Sequence, residues 1–298
     1  MDALDQTTVK RKVLVTGLGG QLANRLVAMS AMHVYSGLEV LGLSRVDFDL
    51  TLEDQMERAF AALRPDVVLN AAAYTAVDRA EEERDLAFAV NATGTLHLAR
   101  LCARHGCPLM HISTDYVFDG QSKTPYRLEH PPSPLGVYGE SKLRGEELAL
   151  AAWPLTRVVR VAWLYDVQGH NFMNTMLRLA RAGSSLRVVA DQQGTPTNAA
   201  TLAQLMLDFA VNPDWLPPGI HHFGHRGLTT WHGFAVEIFK AAGLHDVELA
   251  PCTTAEYPTP AARPTFSHLD PEPIHELWGK KPRTWQEELT RVLGSDFA

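Results

Sequence analysis

A tyrosine and a lysine four residues apart, Tyr138 and Lys142, are the pair in this sequence best suited to acid–base chemistry. On a helix this spacing places both side chains on one face, where they can reach the same reacting group. A phenol with its ordinary pKa near ~10 is a poor proton donor at neutral pH, and a nearby ammonium lowers that pKa. We therefore expect Lys142 to turn Tyr138 into a proton donor for an alkoxide formed by hydride transfer. On its own the pair is also typical of an exposed helix start.

Three polar residues, Thr114, Asp115 and Tyr116, follow an apolar segment at 109–113 that predicts a buried strand. Ligands of open α/β sheets bind beyond the carboxyl ends of the strands. We expect Thr114 to form a hydrogen bond with the carbonyl that Tyr138 protonates. Asp115 and Tyr116 are expected to contact sugar hydroxyls, with turn capping and aromatic packing as their alternative roles.

Gly17, Gly19 and Gly20 lie between an apolar β-branched segment at 12–16 and a stretch of helical periodicity. A dinucleotide-binding fingerprint requires this strand–turn–helix context. Glycine allows a tight turn close to a pyrophosphate, and the N-terminus of the helix offers free N–H groups. We expect this turn to bind the phosphates of a dinucleotide, with Ala23 replacing the last glycine of the fingerprint. An ordinary tight turn is the alternative.

The residues after the second predicted strand bear on which nicotinamide dinucleotide is bound. A carboxylate there favours the ribose of NAD, whereas this chain has Ser44 and Arg45, and an arginine suits a 2′-phosphate. We expect NADP(H) to be preferred. NAD(H) stays open, because Arg45 is equally typical of a solvated loop and Asp47 or Asp49 can approach the adenosine.

These residues depend on a regular alternation of strands and helices for their positions. Five short apolar segments predict strands: 12–16, 39–43, 66–70, 109–113 and 158–161. Helical periodicity between them, including one long helix at 85–105, predicts an α/β fold with a Rossmann-like, doubly wound parallel sheet. We assign 1–11 to a polar N-terminal tail, 12–165 mainly to an NAD(P)-binding Rossmann domain and 166–298 mainly to a substrate-binding lobe. The chain is expected to cross between the two.

Further segments are assigned to the smaller α/β lobe, which is expected to interleave with the end of the main sheet. They are two helices and two strands: 201–211, 231–242, 219–223 and 247–250. His221 and His222 are adjacent on one of these strands, so their side chains point to opposite faces. We therefore expect no metal site there.

Composition restricts the classes of partner. The 298 residues are 46% hydrophobic, enough for a large core, and carry a net charge of −7 without a long basic run. This argues against binding of nucleic acid or of an anionic membrane and favours a small-molecule partner. The three cysteines form no CxxC motif, and neither a signal peptide nor an apolar stretch of ~18 residues is recognisable. We expect a cytoplasmic protein without a membrane segment.

Several blocks in the same order along the chain resemble those of the bacterial dTDP-4-dehydrorhamnose reductases, a family of extended short-chain dehydrogenases/reductases. They include NAAAYTAVDRAE at 70–81, STDYVFDG at 113–120, YGESK at 138–142 and DQQGTPT at 191–197. Others are found at 160–165, 171–177, 257–264 and 267–270. The resemblance covers residues 12 to 295.

This resemblance implies an NAD(P)H-dependent enzyme that reduces the 4-keto group of dTDP-4-dehydro-L-rhamnose to dTDP-L-rhamnose, a step of cell-surface polysaccharide biosynthesis. It implies that Thr114, Tyr138 and Lys142 are catalytic. With the expectations above, the cofactor contacts are Gly17, Gly19, Gly20, Gln21, Leu22, Ser44, Arg45, Asp49, Leu50, Ala73, Tyr74, Thr75, Tyr138 and Lys142. The substrate contacts are Thr75, Val77, Thr114, Asp115, Tyr116, Trp163 and Arg263.

Two other functions stay open. One is reduction of a different nucleotide 4-keto-deoxysugar, since Arg263, expected at the diphosphate, is preceded by Ala262 where the family often has a second basic residue. The other is a non-catalytic regulatory subunit resembling the methionine adenosyltransferase beta subunit, which retains similar tyrosine and lysine motifs. Trp163 and the block at 70–81 favour the enzyme. A homodimer also stays open, because some relatives dimerise.

Overall fold

The computed structural model describes residues 10–296, so most of the tail assigned to 1–11 lies outside the described residues, and Arg11 already belongs to the first strand. The strands are β1 (Arg11–Leu18), β2 (Leu38–Ser44), β3 (Val67–Asn70), β4 (Leu109–Thr114), β5 (Arg157–Val161), β6 (Leu164–Tyr165), β7 (Leu186–Val189), β8 (Gln193–Gly194), β9 (Thr197–Asn198), β10 (Gly219–His222), β11 (Thr229–Thr230) and β12 (Leu249–Cys252). The helices are α1 (Gln21–Ser30), α2 (Glu53–Leu63), α3 (Val77–Ala80), α4 (Arg84–Phe88), α5 (Thr95–His105), α6 (Val137–Ala152), α7 (Phe172–Arg181), α8 (Ala199–Val211), α9 (Trp231–Ala241), α10 (Glu272–Trp278) and α11 (Trp285–Asp296).

A six-stranded parallel sheet in the order β10-β5-β4-β3-β1-β2 forms the centre of the molecule. Strands β3 and β5 are buried at every position, because helices cover both faces of a parallel sheet. The strand order reverses between β1 and β3, and ligands bind at such a switch point beyond the carboxyl ends of the strands. The predicted Rossmann-like fold is confirmed.

Side chains of β1 alternate between the two cores of the sheet. Val13 and Val15 pack with α1 and α8, while Leu14 packs with α2 and α5. Successive residues of a strand point to opposite faces, so one apolar run supplies both cores. Strand β1 and the turn after it are therefore fixed from both sides.

Two segments assigned to the smaller lobe, one strand and one helix, belong to the Rossmann domain instead. Strand β10 pairs in parallel with β5, and α8 packs against α1 in the same core. Helix α8 is apolar around most of its surface, which suits a helix buried between the sheet and its neighbours. Periodicity predicts the type of an element but not the sheet that it joins, which explains the difference.

The smaller lobe is built on α7, α9 and α11. Its core contains Met173, Phe234, Ile238, Trp285 and Leu289. Three two-stranded sheets accompany these helices, namely β6 with β9, β7 with β12, and β8 with β11. Between residues 10 and 296, no cluster of histidine, cysteine or acidic residues forms a metal site, and no helix is long and apolar enough to cross a membrane.

The long helix predicted at 85–105 contains a change in winding. A π-helical segment, Ala89–Gly94, separates α4 from α5 and brings Asn91 toward α6. A Cβ atom at Gly145 of α6 would lie 2.1 Å from the Asn91 carbonyl oxygen, so only glycine permits this approach. Helix α6, which carries the predicted catalytic pair, is thereby held close to the π-helical segment.

Behind the predicted catalytic pair, a buried ion pair joins α6 to β5. The guanidinium of Arg160 donates to both carboxylate oxygens of Glu146, with Nη2 and Oε2 2.6 Å apart, and Ser113 also donates to Glu146. The side chains of Arg160 and Glu146 are 2% and 1% exposed. Loss of one partner would leave the other charge buried and uncompensated, which strongly destabilises a folded protein.

We expect Glu146→Gln to lower the free energy of unfolding by about 3 kcal/mol, because Arg160 loses its counter-charge in a buried position. Chemical denaturation followed by circular dichroism measures this. The matched control is Glu147→Gln on the same helix, whose partner Arg144 is exposed, and it should cost less than about 1 kcal/mol. Equal losses for the two variants would contradict the assignment of the buried pair as the stronger tie.

Candidate active site

A cleft with a cavity volume of about 720 Å³ opens at the carboxyl ends of β1, β3 and β4. Most of the predicted site residues line it: Gly17, Gly19, Gly20, Gln21, Leu22, Arg45, Asp49, Leu50, Ala73, Tyr74, Thr75, Val77, Thr114, Asp115, Tyr116, Tyr138, Lys142 and Trp163. Ser44 and Arg263 are not among the residues that line it. The glycine turn and the predicted catalytic residues thus share one cavity.

The glycine turn after β1 has the geometry of an anion-binding loop. Gly17 has φ +84°, and a Cβ atom there would lie 2.8 Å from the backbone of Ala72. The Gly20 N–H donates to the Gly17 carbonyl oxygen at 2.9 Å, which closes the turn. Helix α1 begins at Gln21 without a side-chain cap, so its first N–H groups stay available. The turn can therefore accept a pyrophosphate.

The residues after β2 are tied to one another at the rim of the cleft. Arg45 pairs with Asp49 at 3.0 Å, and its side chain is 70% exposed. Burial would raise the pKa of Asp49, but hydrogen bonds from Thr51 and Arg45 outweigh it and lower that pKa. Ser44 donates to Asp47 at 2.6 Å. Arg45 therefore presents a positive charge at the rim of the cleft, whereas the Ser44 hydroxyl forms its hydrogen bond within its own loop.

Thr114 and Tyr138 meet where β4 ends beside the start of α6. Thr114 is the last residue of its strand, and its Oγ1 donates to Asp115 Oδ1 at 3.0 Å. The half-buried Tyr138 is the second residue of α6. Burial raises the pKa of Tyr138 to about 12, the Thr114 hydroxyl opposes the rise, and the Asp115 charge adds to it. Tyr138 is thus a protonated phenol at neutral pH.

Lys142 lies one helical turn further along α6, but its ammonium does not act on Tyr138 as expected. The buried Nζ donates to the Ile112 carbonyl oxygen at 2.6 Å. Burial lowers the pKa of Lys142 to about 8, while the Glu146 carboxylate opposes that shift. The expectation that Lys142 lowers the pKa of Tyr138 is wrong for this structure, because the ammonium is bound to the backbone of β4 and burial of the phenol dominates.

A row of polar side chains crosses the sheet toward Lys142. Thr16, Asn70 and His111 are neighbours in register on β1, β3 and β4. Asn70 Oδ1 accepts from the Thr16 hydroxyl at 2.6 Å and from the Ala72 N–H at 3.2 Å, so the Asn70 amide group must face His111. Its Nδ2 then donates to His111 Nδ1 at 2.8 Å.

This row fixes the proton of His111. Burial, together with the charge of Lys142, moves the pKa of His111 well below its usual value, so the ring is neutral. Because Nδ1 accepts from Asn70, the ring proton is on Nε2, which faces Lys142 Nζ at 3.2 Å. The His111 Nε2–H and the Lys142 ammonium are both donors, so they form no hydrogen bond with each other. The hydrogen bond to the backbone is therefore what holds the ammonium in place.

A buried asparagine in the π-helical segment positions the loop after β3. Asn91 Oδ1 accepts from the Tyr74 N–H at 2.8 Å, and Asn91 Nδ2 donates to the Tyr74 carbonyl oxygen and to Ser141 Oγ, each at 3.0 Å. Tyr74 and its neighbours line the cleft. Asn91, Asn70 and His111 were all missed by the sequence reasoning, although polar residues inside apolar periodic segments are a usable signal.

An aromatic stack forms another wall of the cleft. Trp163 has φ +48°, and its ring lies 3.6 Å from that of Trp231 at an interplanar angle of 11°. A Cβ atom at Gly194 would lie 2.6 Å from the Trp163 ring. The ring is thus held between glycine and tryptophan. The sequence reasoning identified Trp163 and missed Trp231, which contacts it across a long separation in sequence.

Arg263 lies beside the cleft, bound to α3. Its Nη1 and Nη2 donate to the two carboxylate oxygens of Asp78 at 2.9 and 2.7 Å. This bidentate pair lowers the pKa of Asp78, with the hydrogen bond from Arg263 as the main cause. The arginine expected at a diphosphate is thus paired with a carboxylate of the chain.

Comparison with known proteins assigns the family. The family model of the RmlD substrate binding domain matches residues 11–296. A dTDP-4-dehydrorhamnose reductase of Aggregatibacter actinomycetemcomitans is 38% identical over 94% of this chain and 98% of its own.

Solved structures agree. That of a dTDP-4-dehydrorhamnose reductase from Clostridium acetobutylicum superposes with a TM-score of 0.90 at 38% identity, over 96% of this chain and all of the other. That of a dTDP-4-dehydrorhamnose reductase from Bacillus anthracis, in complex with NADP, has a TM-score of 0.89 at 33% identity and covers 96% of this chain and 99% of the other. This chain therefore belongs to the dTDP-4-dehydrorhamnose reductase family.

Proposed function

We propose that this protein reduces the 4-keto group of dTDP-4-dehydro-L-rhamnose with NADPH and releases dTDP-L-rhamnose. The observation that carries the proposal is the convergence of Thr114, Tyr138 and Lys142 on the cleft that contains the Gly17 turn. A hydroxyl donor, a phenol and an ammonium beside a phosphate-binding turn are the groups that reduction of a carbonyl by a dinucleotide needs. Burial of the free cysteines suits the reducing cytoplasm, where we place the reaction.

In this proposal the bound nicotinamide supplies a hydride to the keto carbon. Tyr138 gives its hydroxyl proton to the oxygen as that atom gains the electron pair of the carbonyl bond, and Thr114 donates a hydrogen bond to the same oxygen. The high pKa of the phenol keeps its proton in place until the more basic alkoxide forms. When the cofactor is bound, Lys142 would hold its ribose by donating a hydrogen bond to a ribose hydroxyl in place of the Ile112 carbonyl, and this would bring positive charge to the phenol.

The proposed preference for NADPH rests on Arg45. Its exposed guanidinium at the rim uses one N–H group for Asp49, which leaves donors for a 2′-phosphate. The proposed substrate contacts are Thr75, Val77, Thr114, Asp115, Tyr116 and Trp163, all of which line the cleft, together with Arg263 beside it. Arg263 would exchange Asp78 for the diphosphate, as its planar fork suits either partner.

A substrate panel tests the proposed function. Purified protein is mixed with NADPH or NADH and with dTDP-4-dehydro-L-rhamnose, and loss of the absorbance of the reduced nicotinamide is followed. We expect turnover with this sugar and a higher kcat/KM with NADPH. Turnover only with another nucleotide 4-keto-deoxysugar would redirect the proposal to that substrate. Cofactor binding without any turnover would favour the regulatory-subunit alternative.

Removal of the phenolic hydroxyl gives the sharpest test of the proton donor. Tyr138→Phe should lower kcat by ~10²–10⁴-fold, since only the acid is lost, and should change the dissociation constant of NADPH by less than about twofold. Stopped-flow absorbance and a fluorescence titration measure the two. Tyr165→Phe is the control, because the buried Tyr165 lies outside the lining of the cleft and its hydroxyl has no hydrogen-bond partner among the described residues. It should keep the wild-type kcat. If Tyr138→Phe lost cofactor binding as strongly as turnover, the tyrosine would be structural.

Cofactor preference is tested at the rim. Arg45→Gln should raise the KM for NADPH by about 10- to 100-fold, the equivalent of ~1.5–3 kcal/mol for a charge-assisted hydrogen bond, and leave the KM for NADH nearly unchanged. Steady-state kinetics with both dinucleotides measure this. Arg104→Gln is a control, because Arg104 forms an exposed pair with Glu57 on α2, away from the lining of the cleft. Equal increases for the two dinucleotides would remove Arg45 from 2′-phosphate recognition.

A further inference from the structure

Asp115 has an unusual environment for a carboxyl group beside a reaction site. It is 3% exposed, lines the cleft and follows Thr114 directly. Its Oδ1 accepts from Thr114 Oγ1 at 3.0 Å, whereas its buried Oδ2 has no hydrogen-bond partner among the described residues. An ionised carboxylate with a buried, unsatisfied oxygen is strongly disfavoured. The geometry thus favours the protonated acid.

The hydrogen bonds of Thr114 allow only one use of its hydroxyl proton. Thr114 Oγ1 accepts from the Tyr116 N–H at 3.2 Å, lies against the Tyr138 phenol in the cleft, and has a single proton to donate. If Asp115 is ionised, that proton is held by Oδ1 and is withheld from a substrate. If Asp115 is protonated, its own O–H can donate to Thr114 Oγ1, and the Thr114 proton becomes free to point into the cleft.

We propose that Asp115 is a positioning residue whose protonated form orients the Thr114 hydroxyl as a donor to the substrate carbonyl. This inference rests on the proposed carbonyl reduction and adds a switch to it. No covalent bond changes at Asp115 during turnover. Its proton stays in the hydrogen bond to Thr114, while hydride from the cofactor and the proton from Tyr138 complete the reduction.

The charges around Asp115 agree with this role. Burial raises its pKa to about 7, while the hydrogen bond from Thr114 lowers it. Tyr138 and Lys142 face the cleft from α6. Beyond the neighbouring Tyr116 lie Arg263 and Asp78, which are paired with each other.

The sign of the resulting pH dependence follows from that raised pKa. Below pH 7 Asp115 is protonated and Thr114 donates to the substrate, and above it the carboxylate captures the Thr114 proton. For a one-proton titration centred near pH 7, kcat should therefore decrease about tenfold between pH 6 and pH 8. Titration of Lys142, whose pKa is about 8, would add to the decrease at the alkaline end.

Substitution separates the two titrations. Asp115→Asn cannot ionise, so the decrease centred near pH 7 should disappear, and only the more alkaline one should remain. In a Thr114→Val background, where kcat is expected to be ~10²-fold lower, Asp115→Asn should change kcat by less than about twofold at any pH. Asp119→Asn is the matched control, because Asp119 accepts from the Gln121 N–H and from Tyr126, its pKa is lowered, and it lies outside the lining of the cleft. It should keep the wild-type profile.

A measurement without substrate keeps the inference separate from the proposed function. Carboxyl ¹³C NMR, with the Asp115 signal assigned by its loss in Asp115→Asn, should titrate near pH 7 in the wild type and higher in Thr114→Val, where the donor to Oδ1 is absent. A midpoint near the ordinary aspartate value, or a wild-type pH profile in Asp115→Asn, would overturn the inference while leaving the reductase intact. If no sugar is reduced, the proposed function fails, and an unchanged titration in Thr114→Val would then exclude the Asp115–Thr114 coupling as well.

Discussion

The active-site cleft depends on the requirement that polar groups buried beneath it have partners. Asn70 and His111 lie side by side in register and bond to each other, and Arg160 is matched by Glu146. A buried polar atom without a partner costs more than a hydrogen bond returns, so most such groups are paired. The floor of the cleft therefore behaves as one network. A change in one member alters the protonation or position of the next, and Lys142 stands at the point where the network meets the cavity.

This network explains why Lys142 is available for a cofactor. A lysine ammonium with a hydrogen-bond acceptor for each of its N–H groups would have to break several hydrogen bonds to reach a ribose hydroxyl. Here the neutral His111 presents a donor to the ammonium, and within residues 10–296 only the Ile112 carbonyl accepts from it. The same burial that lowers the pKa of Lys142 to about 8 keeps its charge poorly solvated. A new acceptor in the cleft would thus gain more from this ammonium than from one exposed to water.

The parts of the site that could be predicted from the sequence are those set by local patterns. The Gly17 turn, Thr114 at a strand end and the spacing of Tyr138 and Lys142 all depend on periodicity within one element. The contact between Asn70 and His111 depends on strand order and register, which periodicity does not contain. The same limit applies to β10, which was assigned to the smaller lobe but pairs with β5 of the main sheet, and to Trp231 behind Trp163. The pKa of Tyr138 was predicted in the wrong direction, because spacing gives a neighbour but not the burial of the phenol or the bond that holds the neighbour.

Asp115, whose Oδ2 lacks a partner among the described residues, differs from the paired Asn70 and Arg160, and its two expected roles oppose one another. A sugar hydroxyl that donated to Oδ2 would satisfy the orphaned oxygen and stabilise the carboxylate, which lowers the pKa of Asp115. The carboxylate would then keep the hydrogen bond from Thr114, and the substrate carbonyl would lose that donor. A ligand group that accepts a hydrogen bond, or an apolar group, would leave the acid protonated and Thr114 free. The substrate group that lies next to Asp115 Oδ2 therefore determines whether the Thr114 hydroxyl can donate its proton to the substrate carbonyl.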